Sequence, residues 1–259
     1  MKQFVPILIS GLWLAAPIAL AQHTVGDPTL VNLDTPTVLE RGSLIARIEL
    51  RPFGGDEDLL YTSLGLNLGL GGRMEGVLRG SFAPRRDFAL PSSGAIRHGG
   101  NDVELALKMR LGESERCAGL IGVAFAGTPA QSEAFLTMGA MAAMEDDSAT
   151  YYLNPRAVFI EGNTLVGIGL GARARLAPKV HLVVDFTPLV SGENTIDTTS
   201  GARSRRHIYG LAVRFTTGRT DDVTIDIGYT NGTGSTTGFG LTPGLGGSGA
   251  FTFALSVRR

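Results

Sequence analysis

Four histidines are the first side chains to consider for chemistry: His23, His98, His181 and His207. None belongs to an HExxH motif or to another paired-histidine spacing, so the sequence does not support a metal site. His181 and Asp185 share one face of a predicted strand, but two strand steps would separate them by ~13 Å, too far for a direct hydrogen bond. No GxSxG-type signal marks a nucleophilic serine, although a Ser–His–acid site could be assembled from different strands. We therefore expect no enzymatic activity, no catalytic residue, no metal site and no cofactor.

Two further features resemble functional motifs but have simpler explanations. Gly167, Gly169 and Gly171 are spaced like a dinucleotide loop, yet they lie inside a predicted strand with no helix after it. Glycines at such positions indicate tight curvature or a wider lumen. Cys117 is the only cysteine, which excludes a disulfide framework and a cysteine-based metal cluster within this chain.

Charged side chains recur at every second position of otherwise apolar segments. In one such segment Val103, Leu105 and Leu107 alternate with Glu104 and Lys108. Successive side chains of a strand point to opposite faces, so this segment is predicted to be a strand with one apolar and one charged face. A helix would distribute the same charges around its circumference.

The charged faces together predict the lining of a lumen. Assigning faces strand by strand gives twelve inward cations against six inward acids, although the whole chain has a net charge of −1. If a pore is open, this surplus predicts a preference for anions. The alternative is that these groups pair across the lumen and close it. The predicted pore-lining residues are Arg47, Glu49, Arg73, Glu75, Arg79, Glu104, Lys108, Arg110, Arg156, Arg173, Arg175, His181, Asp185, Arg214 and Asp226.

The alternating segments predict about twelve strands. Most are 9–12 residues long, which exceeds the ~5–6 residues of typical globular strands and fits the ~9–11 residues of a tilted membrane strand. The segment 134–144 is rich in Ala and Met and fits a helix equally well. The predicted strands are 43–51, 59–70, 73–83, 101–111, 117–126, 134–144, 149–160, 164–175, 179–188, 206–217, 222–231 and 249–258.

The connections between these strands alternate between two sets. The short set is 71–72, 112–116, 145–148, 176–178 and 218–221, and every long connection falls in the other set, 52–58, 84–100, 127–133, 161–163, 189–205 and 232–248. If neighbouring strands are antiparallel, the tight turns lie at one end and the long loops at the other, as in outer-membrane barrels. The stretch 232–249, rich in Gly, Thr and Ser, is predicted to be a mobile outer loop.

The beginning of the chain predicts export. Lys2, an apolar run to Ala19 and the small residue Ala21 are typical of a secretory signal peptide, predicted as residues 1–21; an uncleaved anchor is the alternative. Residues 22–42 are predicted to be a polar periplasmic leader, with the alternative that it is partly inside the barrel. Without residues 1–21 the chain has 22 Lys+Arg against 24 Asp+Glu. This near-balance gives no reason to expect a nucleic-acid partner.

A single closed sheet accounts best for these features. After the predicted signal peptide no run of ~18 apolar residues occurs, as a spanning helix would require, and a sheet in lipid must close because its edge groups need hydrogen-bond partners. We therefore predict an all-β protein over 43–259: a single antiparallel, up-and-down transmembrane β-barrel of about 12 strands in the outer membrane. The leading hypothesis is a porin-like passive channel or small-solute transporter, in contact with outer-membrane lipid and with solutes in its lumen. The alternatives are a closed structural or surface-binding barrel that acts through its outer loops, and a soluble periplasmic β-domain.

The pattern also resembles a known class of proteins. Thr37–Gly42 before the first strand, the strand Asp102–Leu111 and the alternating last strand Gly249–Arg258 are similar to those of outer-membrane barrel proteins regarded as transporters or channels. The resemblance covers most of the chain after the signal peptide, but as a pattern, so it implies the barrel fold and transport and assigns no catalytic residue. Members of this class commonly end on an aromatic residue, whereas this chain ends on Arg259.

Overall fold

The computed structural model describes residues 29–53, 59–90, 94–113, 115–125, 134–217 and 222–259, with the backbone alone at 85–90 and 94–98. The predicted signal peptide 1–21 and residues 22–28 of the predicted leader lie outside the described residues. In the described part of the chain no helix is both long and apolar enough to cross a membrane.

Strands dominate the described residues, and the predicted boundaries agree with them closely. The strands are β1 (Leu44–Phe53), β2 (Leu59–Gly71), β3 (Met74–Leu90), β4 (Gly94–Arg110), β5 (Cys117–Phe125), β6 (Ala134–Glu145), β7 (Ala149–Phe159), β8 (Leu165–Ala177), β9 (Val180–Thr187), β10 (Leu189–Ser191), β11 (Thr195–Ile196), β12 (Arg203–Ser204), β13 (Ile208–Thr217), β14 (Val223–Thr230) and β15 (Ala250–Arg258). The only α-helix among the described residues is α1 (Thr237–Gly240), and a 3-10 turn follows at Leu245–Gly247. The segment that also fitted a helix is strand β6.

Twelve of the described strands, β1 to β9 and β13 to β15, form one closed antiparallel sheet. Each pairs with its neighbour along the chain, and β1 pairs with β15 to complete the ring, with Ile45 opposite Arg258 and Leu50 opposite Phe253. The predicted up-and-down barrel is therefore confirmed. A soluble β-domain with a second packed sheet is wrong, because the sheet closes on itself.

The two faces of the sheet follow the alternation in the sequence. Leu105 is 64% exposed on the outside, whereas its neighbour Glu104 is fully buried inside. Large apolar side chains cover the outer face of the strands, and near the loop end the rings of Tyr209, Tyr229 and Phe251 lie against one another. An exposed belt of this kind is stable only in contact with lipid, and aromatic rings mark its boundary with water.

The connections separate as predicted, with one extension. Short turns join β2 to β3, β6 to β7 and β8 to β9 at one end of the barrel, which we call the turn end. The start of β1 and the end of β15 lie at the same end. Longer connections lie at the opposite loop end. Most of the predicted loop 84–100 is strand instead, because the β3–β4 pairing continues past an irregularity between Ala83 and Arg86 to Leu90 opposite Gly94.

Candidate functional site: the occupied lumen

The charged side chains predicted to face inward fall into two groups. The acids are buried in the barrel interior together with six of the cations: Glu49, Glu75, Asp102, Glu104, Asp185, Asp226, Arg47, Arg51, Arg79, Lys108, Arg156 and Arg214. His181 is buried on the same face. Among the described residues the wall of the interior therefore holds six cations and six acids, so the predicted surplus of positive charge does not lie there.

Of the six predicted inward cations that remain, the four named above as pore-lining lie at the turn-end mouth. Arg73 is exposed in the β2–β3 turn, where its φ of 71° and a hydrogen bond to the Gly112 carbonyl hold it at the rim. Arg110 forms a 3.1 Å ion pair with the exposed Glu115, also at the turn end. Arg173 and Arg175 lie on the turn-end part of β8, the first half-buried and the second exposed. These four differ from their predicted place in the lining because their strand positions are beyond the enclosed part of the barrel.

The lumen is filled from the turn end by the chain's own N-terminal segment. The chain reverses at Gly42, whose amide donates to the Gly69 carbonyl at 2.8 Å, and so the preceding residues run inside the barrel. We call residues 29–39 the N-terminal plug. At its tip Leu30 N donates to the Leu33 carbonyl at 2.7 Å, which makes a tight turn. Residues 29–39 of the predicted periplasmic leader thus lie inside the barrel wall, in agreement with the alternative that the leader is partly inside the barrel.

Wall cations bind the main chain of this plug. Arg214, Arg51 and Arg156 donate to the carbonyl oxygens of residues 29, 31 and 32 at 3.0, 3.1 and 2.6 Å. Lys108 donates to the carbonyl of residue 37. Charge-assisted hydrogen bonds of this kind are stronger than neutral ones. The interior cations therefore have acceptors on the plug as well as carboxylates on the wall.

Asn32, at the tip of the plug, makes the most connections. Its backbone N and its Nδ2 donate to the two carboxylate oxygens of Asp185 at 2.7 and 2.8 Å. Its Oδ1 accepts from Arg51 and Thr230, each at 3.0 Å. All four side chains are buried, so this cluster exchanges hydrogen bonds away from water, where an unmade bond is costly.

Asp34 supplies the one acidic side chain among the described residues of the plug. Both of its carboxylate oxygens accept from the Arg79 guanidinium, in a two-pronged pair with one distance of 3.1 Å. Arg79 also lies 4.0 Å from Glu104 on the adjacent strand. Because Arg79 and both acids are buried, removal of either partner would leave an uncompensated charge in the lumen.

Glycines in the wall make room for the apolar side chains of the plug. A Cβ atom added to Gly169 would lie 2.5 Å from Leu33 Cδ2, and one added to Gly171 would lie 2.4 Å from Leu30 Cδ1. Both leucines are fully buried. The interpretation that these glycines widen the lumen agrees with this geometry, but the extra space is occupied.

The loop between β14 and β15 fills the lumen from the opposite end. We call residues 231–248 the loop plug. Thr236 donates to Asp102 at 2.8 Å, and the amide and hydroxyl of Thr237 donate to Glu104 at 2.8 and 2.7 Å. Phe239 is fully buried beside Tyr61. The prediction of a mobile outer loop is therefore wrong, because buried carboxylates of β4 bind this Gly- and Thr-rich stretch inside the barrel.

The two plugs meet near the centre of the barrel. Arg51 donates to Asn32 on one plug and to the Gly232 carbonyl on the other. Arg156 likewise bridges the carbonyls of Asn32 and Gly240, at 2.6 and 2.9 Å. A gap with room for about one water molecule remains between them, beside Asn32, Asp34, Glu49, Arg79 and Ser235.

The side chains of the N-terminal plug were not predicted individually, although a leader partly inside the barrel was one alternative. The overlooked signal was the apolar character of Leu30, Val31 and Leu33, and of Val38 and Leu39, since a solvated leader has no need for five such side chains. Among the described residues no three His, Cys, Asp or Glu side chains converge as a metal-binding group. The absence of catalysis stays a prediction.

Comparisons with known proteins agree with the barrel. No protein-family model matches the sequence, and no curated protein matches it. Among solved structures, the NanC porin is 10% identical with a TM-score of 0.52, and the match covers 83% of this chain and 98% of that one. An outer-membrane channel from Pseudomonas putida F1 is 15% identical over 86% of this chain and 96% of that one, with a TM-score of 0.46. Omp33 of Acinetobacter baumannii is 9% identical over 84% and 98%, with a TM-score of 0.44.

At these identities the likeness is one of fold. Together with the closed sheet and its apolar exterior, it places the protein in the class of bacterial outer-membrane β-barrels.

Proposed function

We propose that the protein is an outer-membrane channel for small polar solutes that is closed at rest by the N-terminal plug and the loop plug. The proposal rests on one observation: the polar wall belongs to the strands, whereas the groups that fill the lumen belong to other segments of the chain. Buried charged side chains on β1, β3, β4, β7, β9, β13 and β14 form a polar wall, and the groups that occupy it belong to segments outside the twelve strands. Withdrawal of these segments would leave the barrel's hydrogen-bonded sheet unchanged.

The balance of charge determines which solutes are proposed. With six cations and six acids among its described residues, the wall itself supports no strong preference for anions. Transport of small polar solutes of either sign follows from that balance. Anion preference stays a prediction. Cations outside the interior that could supply it are Arg73, Arg173 and Arg175 at the turn end and Arg203, Arg205 and Arg206 at the loop end.

The test enlarges two side chains of the wall so that the N-terminal plug no longer fits against them. The double variant Gly169→Val, Gly171→Val places side chains where Leu33 and Leu30 now lie. Purified in detergent and inserted into planar bilayers, it is expected to show discrete conductance steps, whereas the unaltered protein stays closed for most of the recording. Gly65→Val is the matched control, because an added Cβ there also faces the lumen but approaches nothing closer than 3.8 Å.

A closed barrel that acts through its loops is the second candidate, and the tight fit of Leu30 and Leu33 against glycines favours it. The same recordings separate the two functions. If the double variant folds as a heat-modifiable barrel and remains silent even when residues 233–242 of the loop plug are also deleted, the channel is excluded and the closed barrel stands.

A further inference from the structure

We propose that the lumen is a binding site for a peptide with a tight turn, as in residues 29–34 of the plug, and that short oligopeptides are the solutes this barrel recognises; this rests on the proposed channel function. The N-terminal plug then occupies the site as an internal competitor. The inference comes from what the wall side chains bind, which is mainly the plug's main chain.

The wall matches both kinds of main-chain group. Arg214, Arg51, Arg156 and Lys108 donate to carbonyl oxygens, as does Asn154, whose Nδ2 lies 2.8 Å from the carbonyl of residue 34. Carboxylates accept from amides: Asp185 from Asn32 N at 2.7 Å and Glu75 from Leu39 N at 2.8 Å. Contacts of this kind recognise the main chain of a peptide, because every residue except proline carries both groups.

An acceptor-only ligand would fit this wall less well. An inorganic anion could replace the carbonyl oxygens opposite Arg51 and Arg156, but it has no N–H to offer Asp185 and Glu75. Those two carboxylates are 5% and 0% exposed. One oxygen of Glu75 accepts from Asn67 on the wall, but its other oxygen and both oxygens of Asp185 accept from the plug, so these three oxygens need donors from whatever fills the lumen. A peptide supplies donors and acceptors together.

Recesses in the wall add selectivity for side chains. Gly169 and Gly171 on β8 leave space for Leu33 and Leu30, and Gly210 on β13 leaves space for Val31, whose Cβ would lie 2.8 Å from an added Cβ. Apolar residues on either side of a polar one, as in Leu30 to Leu33, therefore fit this surface. Because the plug is covalently attached, its effective concentration is high and a free peptide must compete with it.

The experiment uses a full-length variant with a weakened plug, Leu30→Asp with Leu33→Asp, which leaves every wall residue unchanged. The probe is a fluorescent synthetic peptide with the sequence of residues 29–39, and its binding to the detergent-solubilised variant is followed by anisotropy. We expect saturable binding, and at least about tenfold weaker binding, equivalent to about 1.4 kcal/mol, when Gly169→Val is added to the wall. A scrambled peptide of the same composition and sodium phosphate are the controls.

The outcomes separate the two proposals. The absence of saturable binding of the native peptide, or its displacement by phosphate alone, overturns the peptide site, and equal binding of the native and scrambled peptides overturns the selectivity assigned to the glycine recesses. A further outcome is that the weakened variant conducts without any effect of added native peptide on its conductance. That result overturns the peptide site and retains the channel. Sequence-specific binding without any conductance retains the site and overturns the channel.

Discussion

Asn32 on the N-terminal plug and Asp185 on β9 are joined by two hydrogen bonds, from backbone N at 2.7 Å and from side-chain Nδ2 at 2.8 Å, although 153 residues separate them. A buried carboxylate that accepts from both the main chain and the side chain of one residue fixes the height and the orientation of the plug tip. These two hydrogen bonds help to hold the plug in the lumen, so substitutions that remove them test the closed state.

Asn32→Ala is expected to loosen the plug. It removes the Nδ2 donor from Asp185 and the Oδ1 acceptor from Arg51, and loss of partners for buried charged groups costs about 1–3 kcal/mol. The ratio of open to closed channels should rise roughly tenfold or more in bilayer recordings. Asn163→Ala is the control, since Asn163 bonds the main chain of Glu193 at the loop end instead of the plug. An equal rise in both variants would contradict this role of Asn32.

Substitutions of Asp34 and Arg79 should have strongly non-additive effects on the free energy of unfolding. Either Asp34→Asn or Arg79→Gln leaves a buried charge without its partner, which costs about 3–5 kcal/mol. The double variant should lose clearly less than the sum of the two single losses. Urea unfolding in lipid vesicles measures all three free energies, and strict additivity would mean that the two side chains do not interact in the membrane.

The outward position of Leu105 predicts a large penalty for charge. Leu105→Arg places a guanidinium on the lipid face near mid-strand, where such substitutions destabilise barrels by about 2–4 kcal/mol. Unfolding in vesicles should show this loss, and Leu105→Phe should be nearly neutral. Glu113→Arg, in the exposed β4–β5 turn, tests whether the penalty comes from lipid contact or from positive charge alone.

The β6–β7 turn predicts a pH-dependent contribution. The amides of Ser148 and Ala149 donate to Asp146 Oδ1, each at 2.8 Å, and these bonds lower the pKa of Asp146 below its usual value. A carboxyl group with a lowered folded pKa stabilises the fold above its unfolded pKa, and this contribution is lost as the pH falls through the folded pKa. Asp146→Ala should therefore be less stable than the unaltered protein at about pH 7 and equal to it at about pH 2. A stability difference that does not change with pH would contradict the prediction.

The sequence by itself determined the strands, their faces and the end at which the turns lie. These are local properties: Val103 to Lys108 alternate because neighbouring strand residues point to opposite sides, whatever the rest of the chain does. The same rule placed Glu49, Arg79 and Asp226 inside, and their burial in the structure agrees with it.

Only the tertiary structure decided what fills the lumen. The space that receives Leu30 and Leu33 exists only after β15 pairs with β1, and its glycine recesses come from β8, far along the chain. The partners of Asn32 lie on β1, β9 and β14, so no spacing in the sequence relates them. Charge counts from the sequence also could not separate Arg175 at the mouth from Arg156 in the interior, because that difference depends on height within the closed barrel.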